Sequence, residues 1–131
     1  MCRRFVLVIL VALAGCSPTS PTVRLDEDFV LAPRETVRVG ETGVTIRFVG
    51  VEGDSRCPAD AICIQGGDAL VRIEVRSLGS GVQSYALHTG DMRPVVHDGL
   101  TIALVELAPY PFSSRTTQPD EYRATLRVSG P

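Results

Sequence analysis

From Leu25 onward the apolar residues recur with period two rather than 3.6, the spacing of strands with one buried face. Phe29-Val30-Leu31 is a short apolar run stopped by Pro33, and Thr36 to Val39 alternates up to Gly40. Val44, Ile46 and Phe48 fall on one side of a strand and Thr45 and Arg47 on the other, and the run continues through Val49 and Val51. Ala69 to Arg76 is the clearest strand, with Ala69, Val71, Ile73 and Val75 facing in. Val82 to Thr89 follows across a Gly-Ser-Gly turn and is expected to pair with it as a hairpin. Val95 to His97 and Leu100 to Leu107 flank Asp98-Gly99, a two-residue hairpin signal. Tyr122 to Val128 closes the chain. These eight short strands, with no long amphipathic helix, predict an all-β, antiparallel β-sandwich or barrel over residues 25–131.

The pattern breaks once at length, between Glu52 and Gly67. Cys57 and Cys63 lie in this stretch, with Glu52, Asp54 and Asp60; Asp68 follows directly. One helical turn is expected just before Cys63.

The N-terminus has a different character. Arg3-Arg4 precedes an apolar run from Phe5 to Leu13, too short to span a bilayer as a helix and laid out as a secretory signal. Leu13-Ala14-Gly15-Cys16 resembles the lipobox of bacterial lipoproteins. The resemblance implies cleavage after residue 15, acylation of Cys16 and a membrane anchor of several acyl chains, each contributing about 0.8 kcal/mol per buried CH₂. Ser17, where that family places Asp for inner-membrane retention, implies the outer membrane, facing the periplasm. Residues 16–24, with Pro18 and Pro21, are expected to form an extended tether.

Composition then narrows the partners. All 13 basic residues are arginine, and loss of Arg3 and Arg4 leaves 11 against 15 acids. No basic run stands out, so no nucleic-acid partner is expected. Cys2 leaves with the signal and Cys16 carries lipid. Cys57 and Cys63 remain in an oxidising compartment and are expected to form a disulfide. Closing so small a loop contributes roughly 2–2.5 kcal/mol on the chain-entropy model.

Asp54-Ser55-Arg56-Cys57-Pro58, followed by Cys63 and Gly66, resembles a motif of small exported and lipid-anchored bacterial β-proteins of unassigned function. Those chains carry an aromatic residue two positions after the second cysteine; here Gln65 stands there, so the loop is either looser or packed by Ile62 and Ile64. The resemblance implies a β-rich exported domain and supplies no activity.

Two roles are open to the loop. Asp54 and Ser55 suit bonds to loop backbone, with Arg56 paired to Asp54, Asp60 or Asp68. Alternatively, Arg56 clamps a carboxylate or phosphate of a partner with its bidentate fork. Glu52, Asp54, Ser55, Arg56, Asp60 and Asp68 are thus the candidate binding loop. The same acids could hold Ca²⁺, although no EF-hand spacing is present. His88 and His97, close to Asp91 and Asp98, offer a weaker alternative, a metal-binding protein or metal-dependent enzyme. Set against that is a strand-end His88 and an exposed His97 before its turn. Ser55 lies in no G-x-S-x-G elbow, and the spacing of the cysteines is not that of a catalytic dithiol. No catalytic residue and no cofactor is expected. The leading expectation is a lipid-anchored envelope protein that binds another envelope component through the Glu52–Gly67 loop, with Arg56 as its contact.

Overall fold

The computed structural model describes residues 15–16 and 19–131. Residues 1–14 of the signal segment, with Ser17 and Pro18, lie outside the described residues.

The alternating segments become nine strands: β1 (Thr22–Val23), β2 (Asp28–Leu31), β3 (Thr36–Val39), β4 (Val44–Asp54), β5 (Ala69–Ser77), β6 (Gly81–His88), β7 (Val95–His97), β8 (Leu100–Ala108) and β9 (Arg123–Ser129). They form two sheets, a five-stranded one in the order β1-β3-β4-β5-β6 and a four-stranded one in the order β2-β9-β8-β7. The arrangement is a β-sandwich. Its core is the meeting of the two inward faces: Ile46, Phe48, Val71, Ile73, Val75 and Leu87 from one sheet, and Leu31, Ile102, Leu104, Leu126 and Val128 from the other.

The strand ends follow from local chemistry. Asp98 and Gly99 both take positive φ, 48° and 78°, the mirror-image turn whose twist matches a two-residue hairpin. The turn sets His97 opposite Leu100 and Val95 opposite Ile102. In β4 the register shifts twice, between Phe48 and Gly50 and between Glu52 and Asp54. Each shift reverses the in–out alternation. The first brings Val51 inward opposite Val71 and leaves Glu52 outside; the second brings Asp54 to the inward position opposite Ala69.

Two expectations need correction. Thr22 and Val23 are not tether: they pair in parallel with Arg38 and Val39, and Val23 packs against the core. Pro21 does not prevent this, because it supplies only its carbonyl, accepting from Arg38 N at 2.8 Å. The helical turn also lies elsewhere. Among the described residues the helical segment is Pro119–Glu121, where Gln118 and Glu121 cap each other, whereas Pro58–Ala61 forms a turn closed by Ala61 N to Pro58 O.

Candidate functional site

The end of β4, the starts of β5 and β9 and the ends of β6 and β8 all lie at one end of the sandwich. Segments 55–68, 89–94 and 109–122 therefore meet there. The first is closed by the Cys57–Cys63 disulfide, with Cα atoms 6.0 Å apart.

Arg56 holds this end together. Its Nε and Nη2 grip Asp54 Oδ1 and Oδ2 at 2.8 and 2.7 Å, the bidentate fork of a strong ion pair. Nη1 donates to Leu107 O at 2.7 Å and Nη2 also to Pro109 O at 2.9 Å. Tyr110 lies with its ring centroid 5.6 Å from the guanidinium carbon. The Arg56 and Asp54 side chains are only 9% and 11% exposed. Tyr122 donates its hydroxyl to Asp54 Oδ2 at 3.0 Å. The Arg56 bond holds the Asp54 carboxyl below its ordinary range despite partial burial. Burial and the neighbouring Asp54 carboxylate push the Tyr122 hydroxyl up to about 12. The guanidinium is thus bonded within the protein rather than presented to a partner, as in the first of the two roles open to it.

The other loop residues are equally committed. Ser55 Oγ donates to Asp68 O and accepts from Asp68 N, while Ser55 N also donates to Asp68 O. This clasp leaves no room at Gly67: an added Cβ would lie 1.5 Å from Ser55 O. Asp68 Oδ2 meets His88 Nδ1 at 2.6 Å, and its Oδ1 accepts from Gly90 N. Its carboxyl is lowered, first by His88. Asp60 accepts from the backbone and hydroxyl of Ser113, and Glu52 pairs with Arg72 on the sheet surface. The four carboxylates therefore face four different partners.

The loop tip is apolar and bare. Ile62 and Ile64 do not pack the loop onto the sheet; each is 104% exposed, the extreme of the molecule's exposed apolar residues. Met92, Tyr110 and Phe112 are exposed at the same end. A hollow of ≈ 270 Å³ lies between Ala59, Pro109, Tyr110 and Phe112.

The histidines are not brought together. His88 lies level with Leu70, at the start of β5. His97 is set against Ser77, seven residues further along that strand, or about 23 Å at the usual rise. Nor is His97 exposed; it is 3% accessible and bridges the sheets. Its Nε2 lies 2.5 Å from Ser77 Oγ, and its Nδ1 lies 2.9 Å from Tyr85 Oη and 3.1 Å from Gln83 Oε1. Asp98 approaches the same Nε2 at 3.4 Å, so serine and aspartate share one ring nitrogen and no relay is formed. Among the described residues no group of three His, Cys, Asp or Glu side chains is placed to hold a metal ion, and no helix is long and apolar enough to cross a membrane. Cys16 is exposed and forms no disulfide among the described residues.

Sequence reasoning missed the carbonyls that hold Arg56 and the Ser77–His97–Tyr85 bridge. Both join segments distant in sequence, and backbone carbonyls carry no sequence signal. No known family model, curated protein or solved structure matches the chain.

Proposed function

We propose that this chain is a lipid-anchored envelope protein, attached through acylated Cys16 at the outer membrane and facing the periplasm. In this reading it is a binding or interaction module without catalytic activity, and the loop end of the sandwich is its contact surface. The observation that carries the reading is the full exposure of Ile62 and Ile64 on a loop whose base is fixed by a disulfide, an ion pair and a serine clasp. Bare aliphatic side chains on a constrained loop lose little conformational freedom when a partner covers them. Glu52, Asp54, Ser55, Arg56, Asp60 and Asp68 then serve by holding the loop, and Ile62 and Ile64 touch the partner, another envelope component.

Two measurements test the two halves. Mass spectrometry of the membrane-extracted protein is expected to find Cys16 acylated at the new N-terminus; an unmodified Cys16 removes the anchor. Crosslinking in intact envelopes is expected to give a product that disappears in an Ile62→Ser/Ile64→Ser variant of unchanged melting temperature. A product of equal yield from that variant removes the loop tip as the contact.

A further inference from the structure

The outer face of the five-stranded sheet carries a second arrangement, independent of the loop end and of the anchor. The alternation that buries Val37, Val39, Ile46 and Val75 turns Thr36, Arg38, Thr45, Arg47, Glu74 and Arg76 outward. The register sets Thr36, Arg47 and Glu74 side by side in one row, and Arg38, Thr45 and Arg76 in the next. Facing residues in such rows have Cα atoms about 4.5–5.5 Å apart, so each arginine stands beside threonine or, at one place, Glu74. Arg34 closes the face at the start of β3, its backbone N–H bonded to Phe48 O. A hollow of ≈ 360 Å³ lies among Arg34, Arg47, Arg76, Thr36, Thr45 and Glu74.

The arginines here differ from those elsewhere. Among the described residues Arg24, Arg56, Arg72, Arg93, Arg115 and Arg127 each pair with a carboxylate. Arg123 gives its guanidinium to the carbonyls of Asp120 and Tyr122. Arg47 reaches Glu74 at 4.0 Å, the longest of the ion pairs. The remaining three, Arg34, Arg38 and Arg76, have no carboxylate within ion-pair reach among the described residues, and all three lie on this face. In a chain of net charge −2, the arginines left without a partner collect in one place. They are scattered along the sequence, and only strand pairing assembles them.

We infer that this hollow binds a phosphate-bearing ligand. Guanidinium groups from three directions match the terminal oxygens of a phosphate, which accept several charge-assisted bonds at once, and a carboxylate offers fewer. The Thr36 and Thr45 hydroxyls supply neutral donors between the arginines. Glu74, on the wall of the hollow, orients Arg47 and opposes the anion, so its charge sets an upper limit on affinity.

Calorimetric titration of the detergent-solubilised full-length protein at low ionic strength, with inorganic phosphate and separately with glycerol 3-phosphate, tests this. Saturable binding of one phosphate group per chain is expected. An Arg34→Gln/Arg76→Gln variant is expected to weaken it by about tenfold or more, the two lost contacts to the anion together being worth at least that factor. Glu74→Gln is expected to tighten it severalfold, and Arg127→Gln, on the outer face of the four-stranded sheet, to leave it unchanged. Tighter binding of glycerol 3-phosphate assigns the ligand to an organic phosphomonoester; tighter binding of inorganic phosphate assigns it to the free ion. Absence of saturable binding by either probe overturns the proposal. So does an affinity that falls equally in the Arg127→Gln control, or one that neither hollow variant moves.

Discussion

Asp54 and Arg56 show how much one residue pair can carry. A charge removed from water costs several kcal/mol unless it is paired, and breaking such a pair from one side leaves the other charge stranded. Asp54→Asn, which keeps the shape and removes the charge, is therefore expected to lower unfolding free energy by about 3 kcal/mol, measured by denaturant titration. The pH dependence has a defined sign. The folded Asp54 carboxyl titrates below its ordinary value of 3.8. Its contribution is thus complete above that value and is lost as pH falls through the lower folded-state pKa. Acid unfolding of the wild type should show this loss, and the Asn variant should not. Tyr122 gives the opposite case. Its hydroxyl is raised from 10.0 to about 12, so its contribution is complete below pH 10 and lost as pH rises through the raised value. Ultraviolet titration is expected to find one tyrosine ionising in that upper range, absent in Tyr122→Phe. The ion pair was half legible in the sequence: Asp54 stands two residues from Arg56 among the three acids weighed as its partner. Its other acceptors, Leu107 O and Pro109 O, lie more than fifty positions away on another segment.

Among the elements, the loop and the hairpins differ in how locally they are determined. The Asp98-Gly99 hairpin is readable because two adjacent residues must adopt positive φ, and few residue types do so readily. The Cys57–Cys63 loop owes its shape to clasps with Asp68, just before β5, and with the 109–113 segment, which no local pattern announces. Its adjacent glycines provide a contrast. A Cβ on Gly67 would collide with Ser55 O, while one on Gly66 would meet nothing within 4 Å. Gly67→Ala is expected to cost more than about 2 kcal/mol and Gly66→Ala less than about 1. Thermal melts of the two variants check this, and equal melting temperatures would contradict the clasp. The helical turn expected before Cys63 failed to form for a related reason: the run from Pro58 to Ala61 is drawn onto Pro111 through Ala59 N.

For the whole molecule, the alternation of apolar residues was enough to give the all-β class and eight of the nine strands. It could not choose between sandwich and barrel, because a period of two is the same in both. That choice lies in which strands pair across long separations, such as β2 with β9. The same long-range pairing buries His97 between the sheets. His97→Ala is expected to cost about 2–4 kcal/mol, since it leaves a cavity and strands the Ser77 hydroxyl, whereas His88→Ala, half exposed beside Asp68, should cost under about 1 kcal/mol. Denaturation midpoints of the two variants check the difference. One further property belongs to the molecule as a mechanical object. β1 runs parallel to β3, so the chain preceding it leads back towards the loop end. A pull on that chain loads the Arg38–Pro21 and Gly40–Val23 bonds along the strand axis, in shear, so that they share the force and fail together. Only the half-buried Val23 leaves the core when they do. β1 is thus expected to yield under tension before the load reaches either sheet's interior, a fuse that single-molecule pulling from the N-terminal side would show as a small first event.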